Sequence, residues 1–273
     1  MDCICLLLPD TDFMQLDKLV RKIAPITFSC FIVTQLSACL SSSQFKKENG
    51  YLVDTAEITE NSDRFMGKSV SVRNDVVRII GNRGLILDED RLFDGEPILV
   101  IDTSQVPFEL QDLQTPEILV DGIVEKFSLD SVKQKYGLNL DSNLYSQYEA
   151  KPVIIARSII LSPDPEDMTA NPETYYDRLL AIKGEVDDVE DYGVFELDEE
   201  KAFGGEDLLV LQTKSEIQLQ EEQNVIVYGV LRQFIPEELE RDYDLNWDLI
   251  KTQIEAEYNG KPVLVTEKIQ LLD

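Results

Sequence analysis

Residues 86–103 read ILDEDRLFDGEPILVIDT, and residues 196–213 read ELDEEKAFGGEDLLVLQT. The two stretches align without a gap at a spacing of 196 − 86 = 110 residues. Each holds aliphatic runs on either side of an acidic, glycine-containing segment, which is typical of two β-strands joined by a loop. This self-similarity predicts a β-rich unit that is present twice.

The similarity continues toward the C-terminus of each unit. VDGIVEKF at 120–127 matches VYGVLRQF at 227–234, and KPV at 151–153 recurs at 261–263. Because these matches keep the same order along the chain, we infer an internal duplication.

The duplication divides the chain into consecutive segments. The stretch between the units is rich in proline and aspartate, a composition that favours a linker. We predict a signal peptide at 1–38, a lipid anchor with a flexible tether at 39–64, a first repeat at 65–162, a linker at 163–174 and a second repeat at 175–273.

Five strands are predicted in each unit, because runs rich in Val, Ile and Leu alternate with Gly and Asp clusters. In the first unit they lie at 68–80, 84–88, 97–103, 118–127 and 152–161. In the second unit they lie at 178–190, 193–198, 207–213, 224–234 and 262–271.

A helical pattern separates the fourth and fifth strands. In the second unit Pro236 and the acidic residues after it mark a helix start. An apolar stripe follows before the break at residues 259–260, formed by Leu245, Trp247, Leu249, Ile250 and Ile254. We assign Trp247 and its first-unit partner Leu140 to core packing.

Five short strands in a unit of this size favour a small closed barrel. GVFELD at 193–198, together with VYGV at 227–230, is similar to exported bacterial members of the OB fold, the oligonucleotide/oligosaccharide-binding barrel. The resemblance implies a mainly β protein with two tandem five-stranded OB-like barrels after a signal helix. The helical segment departs from the family pattern, in which the helix follows strand three. A small β-sandwich or an SH3-like barrel is the alternative.

Gly122 and Gly229 occupy matching positions inside the fourth strands. A glycine in a strand permits a sharp bend or the close approach of another backbone. We therefore predict that both serve barrel closure.

The N-terminal segment has the pattern of an export signal. Lys18, Arg21 and Lys22 precede an apolar run at 23–36, which is shorter than the roughly 20 residues that a membrane-spanning helix needs. A buried apolar helix is the alternative. Residues 1–13 contain acidic groups that fit no such signal, so we take Met14 as the initiator and the extension as a mis-called start.

The end of the apolar run, Leu36-Ser37-Ala38-Cys39, resembles the bacterial lipobox. The resemblance implies that Cys39 is lipidated and becomes the new N-terminus. A polar stretch at 40–50 follows, as expected for a tether.

The composition argues against several classes of function. The chain has 25 Lys and Arg against 53 Asp and Glu, a formal net charge of −28, which disfavours a nucleic-acid partner. Histidine is absent, which excludes Ser–His–Asp and Cys–His catalysis. All four cysteines lie within residues 1–39, so the repeats contain no disulfide or thiolate metal site.

Two sets of charged residues are candidate sites. Arg73, Arg78 and Arg83 in the first repeat suggest a basic groove, but the corresponding region of the second repeat is acidic, with Lys183 followed by Asp187, Asp188, Glu190 and Asp191. We therefore predict a solvated face rather than a nucleic-acid groove.

Acidic runs that follow the second strands could bind a cation weakly or supply a glycosidase pair; these are Asp88, Glu89 and Asp90, and Asp198, Glu199 and Glu200. Neither run has EF-hand spacing, so solubilising loops are the simpler interpretation.

These observations predict a non-enzymatic interaction or scaffold module without a cofactor. We expect a lipid at Cys39 to anchor it at the cell membrane or outer membrane, facing the periplasm or another extracytoplasmic space. The expected partner is an envelope protein or a polysaccharide. The alternatives are a barrel that binds oligosaccharide, cell-wall polymer or a cation, an enzyme with carboxylates in a cleft between the units, and a nucleic-acid-binding OB protein.

Overall fold

Strands dominate the structure, a computed structural model that describes residues 51–88, 96–109, 116–190, 193–198, 206–213, 217–243 and 257–272. The strands are β1 (Tyr51–Leu52), β2 (Ser69–Ile80), β3 (Gly84–Asp88), β4 (Ile98–Asp102), β5 (Glu117–Lys126), β6 (Pro152–Leu161), β7 (Leu179–Glu190), β8 (Val194–Asp198), β9 (Leu208–Gln212), β10 (Asn224–Gln233) and β11 (Pro262–Leu271). The α-helices are α1 (Thr55–Glu60), α2 (Ser62–Phe65), α3 (Leu129–Tyr136), α4 (Ser142–Tyr145), α5 (Pro165–Ala170) and α6 (Pro236–Tyr243). The fold is mainly β, as predicted, and all ten predicted strands are present.

The first five long strands close into a barrel. β2 pairs with β3 and β5, β3 pairs with β4, and β6 pairs with both β4 and β5. Only the β4–β6 contact is parallel, so the barrel is mixed. The prediction of a closed five-stranded barrel is confirmed, and its strand order is compatible with an OB-like barrel.

The second five strands repeat these pairings. β7 pairs with β8 and β10, β8 pairs with β9, and β11 pairs with both β9 and β10. The β9–β11 contact is again the parallel one. We call β2–β6 the first strand set and β7–β11 the second strand set.

β4 is buried along its whole length because both of its faces are covered. Ile98 and Val100 belong to the core inside the strand set. Leu99 and Ile101 belong to a second cluster, which includes residues of the segment between β5 and β6. This explains why β4 reads as a continuous apolar run instead of an alternating one.

Helices follow the fourth strand of each set, as the sequence predicts. α3 and α4 lie between β5 and β6, and α6 begins at Pro236 between β10 and β11. Leu140 is buried, in agreement with its assignment to the core. The stripe from Leu245 to Ile254, with Trp247, lies outside the described residues.

The segment at 51–64, which the sequence assigns to a flexible tether, contains β1, α1 and most of α2. Ile58 of α1 is fully buried and belongs to the main core. The segment at 163–174, assigned to a linker, likewise forms α5 and a 3₁₀ turn. Its Met168 is also fully buried in the main core. Both stretches are therefore structural parts of the fold.

Gly122 and Gly229 lie at the irregular positions where β5 meets β6 and where β10 meets β11. A Cβ atom at Gly122 would lie 2.7 Å from the carbonyl oxygen of Ile155, and one at Gly229 would lie 2.6 Å from that of Val265. The predicted close approach of a neighbouring backbone is confirmed at both glycines.

The two strand sets pack against each other within one compact unit, residues 47–273. Leu119 and Ile226, which are equivalent in the repeat, belong to one buried cluster with Ile160, Ala181 and Tyr228. A short parallel pairing of Leu161 with Leu180 joins β6 to β7. The outward faces of corresponding strands thus form the contact.

Candidate functional site

The predicted lipidation site, Cys39, lies outside the described residues, as do the other lipobox residues, Leu36, Ser37 and Ala38. Within the described part of the chain no helix is long and apolar enough to cross a membrane.

The acidic runs are described only at their first residues. Asp88 ends β3 and Asp198 ends β8, whereas Glu89, Asp90, Glu199 and Glu200 lie outside the described residues. Across the described ranges no group of three or more His, Cys, Asp or Glu is arranged to hold a metal ion.

The three arginines of the first repeat all contact other parts of the chain, and Arg73 has the most extensive contacts. The Arg73 side chain is 14% exposed, and its Nη2 atom lies 2.6 Å from Glu117 Oε2 and 2.6 Å from Asp164 Oδ1. Its Nε atom donates to Ser162 Oγ over 3.0 Å. Since Ser162 in turn donates to the carbonyl oxygen of Ala181, Arg73 links the first strand set to β7.

The other two arginines also have partners within the chain. Arg78 donates to the hydroxyl of Tyr148 over 3.1 Å. Arg83 donates to the carbonyl oxygen of Ser104 over 2.6 Å and lies 3.8 Å from Asp102. All three arginines thus have hydrogen-bond partners within the chain.

The outer face of β3, β4 and β6 is apolar and is covered by the chain itself. We call it the covered face; it consists of Ile86, Leu99, Ile101, Val153 and Ile155. The same buried cluster includes residues that follow β5: Phe127, Leu129, Val132, Leu140, Tyr145 and Tyr148.

Tyr145 fixes this cover to the β2–β3 hairpin. Its hydroxyl donates to the carbonyl oxygen of Ile80. Burial raises the pKa of Tyr145 to about 12, so the phenol keeps its proton at neutral pH. A Cβ atom at Gly84 would lie 2.9 Å from this hydroxyl, so glycine gives the phenol access to the hairpin.

The second strand set has a corresponding apolar outer face, formed by Val194, Leu209, Leu211, Val263 and Val265. Phe234 and Leu239 of the following segment are buried in the same cluster, and Tyr243 and Tyr258 pack against it.

Carboxylates lie beside this second apolar surface. We use the name acidic face for the outward-facing carboxylates of β7, β8 and the residue that precedes β9. They are Glu185, Asp187, Glu196, Asp198 and Asp207. Their neighbours along the strands, Val186, Phe195, Leu197 and Leu208, point into the main core.

Burial, and then the nearby carboxylates of Asp207, Asp188, Glu257 and Asp187, raise the pKa of Glu196 to about 7. Burial and the neighbouring Asp198 also raise the pKa of Asp207. Sequence reasoning identified Asp187 and Asp198 but missed Glu196 and Asp207. A comparison of the repeats could have identified Glu196 and Asp207, because the first repeat has the uncharged residues Ile86 and Pro97 at the equivalent positions.

A cavity of about 330 Å³ lies between β1, the helices α1 and α2, and the start of β2. Its lining includes Glu57, Arg64 and Lys68. Glu57 and Arg64 form an ion pair of 2.8 Å, which leaves no strong excess of charge in the lining to select a ligand.

No protein-family model matches the chain, and the search of curated proteins finds no significant match.

Proposed function

We propose that this chain is a non-enzymatic interaction module, exported from a bacterial cell and held at a membrane by a lipid on Cys39. Two tandem OB-like barrels, the first and second strand sets, form its body. They serve as a scaffold for an envelope protein or a polysaccharide in the periplasm or another extracytoplasmic space, and they use no cofactor.

The covered face is the observation that carries this proposal. OB barrels bind oligonucleotides and oligosaccharides on the face formed by strands two and three. The corresponding strands here are β3 and β4, and their outer residues are buried with Leu140 and Tyr145. A ligand could bind this face only after displacing the segment of the chain that covers it. We therefore favour recognition of a partner through the exposed surface.

Repeated hydrogen bonds support the assignment of two related barrels. Phe127 donates its backbone N–H to Lys151 over 2.8 Å, and Phe234 donates to Lys261 over 2.8 Å. Thr103 donates its backbone N–H to the carbonyl oxygen of Ala156 over 3.1 Å. The corresponding bond in the second set runs from Thr213 to Thr266 over 2.9 Å. Equivalent residues thus make equivalent contacts.

The lipid anchor rests on the sequence around Cys39 and on the length of chain that follows. The described part of the chain begins at Tyr51, which is 51 − 39 = 12 residues after Cys39. At full extension such a segment spans about 40 Å. A lipid on Cys39 would therefore hold the barrels close to the membrane surface.

The net charge of −28 supports a partner other than nucleic acid, because phosphate binding depends on the release of counterions by basic groups. It also keeps the strand sets away from anionic headgroups. A covalent anchor supplies the membrane attachment that such a surface would not supply by itself.

Amide NMR of the full chain tests the scaffold proposal against ligand binding. The probes are a soluble peptidoglycan fragment and a single-stranded DNA oligonucleotide. We expect the amide signals of Ile86, Leu99 and Ile101 to stay in place as either probe is added. Saturable shifts concentrated on these amides would instead establish a ligand-binding barrel.

A Tyr145→Ala variant is the matched positive control, because it removes the hydroxyl and the ring that fix the cover. Without any probe, the amide signals of Ile86, Leu99 and Ile101 in this variant should be shifted from their positions in the unmodified chain, because the cover is lost.

A further inference from the structure

The acidic face places like charges directly opposite each other. In the antiparallel β7–β8 pair, Glu185 lies opposite Asp198 and Asp187 lies opposite Glu196. Directly opposed side chains in such a pair are close neighbours, and like charges in these positions destabilise the pairing. The hairpin therefore contains repulsion that depends on the ionisation of its carboxyl groups.

Asp207 adds a further, partly buried carboxyl group to this cluster. Burial and the neighbouring carboxylates of Asp198 and Asp187 raise the pKa of Asp207. Asp207 therefore takes up a proton more readily than a free aspartate as the pH falls.

Acidic groups from three neighbouring parts of the chain lie close to Glu196. Asp187 and Asp188 belong to β7, Asp207 precedes β9, and Glu257 precedes β11. The neighbouring Lys261 lies 3.6 Å from Glu206 instead. Ionisation of Glu196 is thus opposed by several carboxylates as well as by partial burial.

The first strand set retains only part of this acidic face. At the positions of Glu185 and Asp198 it has Asp75 and Asp88, which also lie opposite each other. At the positions of Asp187, Glu196 and Asp207 it has Val77, Ile86 and Pro97. Ile86 is 2% exposed and packs in the covered face. The concentration of acid is therefore a specific property of the second strand set.

We propose that the acidic face is a pH-responsive element, which holds the β7–β8 hairpin more tightly in mildly acidic than in mildly alkaline medium. The element does not depend on the lipid anchor or on the scaffold function. Protonation of Glu196 removes its repulsion with Asp187, which lies directly opposite.

The direction follows from proton linkage. Burial and like charges put the pKa of Glu196 near 7 in the folded chain, whereas an unfolded glutamate titrates at about 4.3. Between these values the folded chain binds more protons than the unfolded chain. The folding equilibrium constant therefore falls as the pH rises through this range, by at most about tenfold per pH unit for one carboxyl group.

The test is urea unfolding of the full chain at several pH values from 5 to 8, with Glu196→Gln and a control, Asp88→Asn. Asp88 is the first-set equivalent of Asp198 and lies opposite one acid, Asp75. Its substitution therefore removes one charge from an isolated like-charge pair outside the acidic face. We expect Glu196→Gln to flatten the fall in stability with pH, and Asp88→Asn to keep it. Equal pH slopes for Glu196→Gln and the unmodified chain would overturn the proposal.

Carbon-detected NMR of the Glu196 carboxyl group provides a second readout that needs no Glu196 variant. Its titration should have a midpoint near 7, and Asp187→Asn should lower this midpoint because it removes the charge directly opposite. A midpoint below 5 in the unmodified chain would also overturn the proposal.

Discussion

Ile58 and Met168 lie 110 residues apart, at 168 − 58, and both side chains are fully buried in the main core. Each belongs to a short helix that precedes the first long strand of its set. The helices also share an aspartate at the N-cap, Asp54 and Asp164. The repeated unit therefore begins near residue 51, earlier than the sequence comparison indicates.

Truncation of either side chain should destabilise the fold. We expect Ile58→Ala and Met168→Ala each to lower the free energy of unfolding by about 2–5 kcal/mol, because each leaves a cavity in the core. Urea unfolding measures this loss. Glu60→Ala, at an exposed position of the same helix as Ile58, is the control and should change stability by less than about 0.5 kcal/mol. If residues 51–64 were instead a mobile tether, Ile58→Ala would change the free energy of unfolding as little as Glu60→Ala does.

The Arg73 contacts should also stabilise the fold. Arg73→Met leaves Glu117 and Asp164 without this cation and removes the hydrogen bonds to Ser162. We expect a loss of about 1–3 kcal/mol in the free energy of unfolding. Arg73→Lys should recover little of it, because an ammonium group cannot reproduce the planar fork of the guanidinium.

Arg78→Met is the matched control for Arg73, since Arg78 is exposed and has a neutral partner in Tyr148. A change of less than about 0.5 kcal/mol is expected. If both arginine variants behave alike in urea, the link from Arg73 through Ser162 to Ala181 does not stabilise the contact between the strand sets.

Removal of one oxygen tests how the cover is fixed to the β2–β3 hairpin. Tyr145→Phe keeps the buried ring but removes the hydrogen bond to Ile80. Loss of this buried hydrogen bond should lower the free energy of unfolding by about 0.5–1.5 kcal/mol, measured by urea unfolding. Tyr136→Phe, on the partly exposed side of α3, serves as the control. A Tyr145→Phe variant as stable as the parent would mean that packing alone holds the cover.

A methyl group at either strand glycine should interfere with the pairing of its strand, β5 with β6 or β10 with β11. Gly122→Ala and Gly229→Ala place Cβ within 2.7 Å and 2.6 Å of a backbone oxygen, and we expect each to cost about 3 kcal/mol or more. Gly137→Ala is the contrasting variant, because its φ of 67° is strained but no atom lies within 4 Å of the added Cβ. It should cost about 1–2 kcal/mol. Urea unfolding that ranks Gly137→Ala as the most damaging of the three would contradict the steric account.

The strands were predictable because their signals are local. Glycine or proline marks the edges of several of them, such as β3 at Gly84 and β6 at Pro152. Their apolar runs also recur in the second repeat, so each boundary could be read twice. The duplication thus supplied a second test of every assignment.

The elements that the sequence missed lack such signals. α1 and α5 have six residues each, which is too short for a helical period to emerge from a polar composition. Each has only one fully buried large apolar side chain, Ile58 in α1 and Met168 in α5. The contact between the strand sets is similarly hidden, because the sequence does not indicate that the outward Leu119 and Ile226 meet.

The most direct test of the tethered-scaffold account is the intact mass of the full-length chain extracted from the membranes of a bacterial host. The account predicts a mature chain that begins at Cys39 and carries the added mass of a diacylglycerol group. Cys39→Ala should lose this mass and remain unprocessed or be released. Cys30→Ala, within the predicted apolar run, should give the same mature mass as the parent. An unprocessed parent chain that begins at Met1 or Met14 would contradict the account.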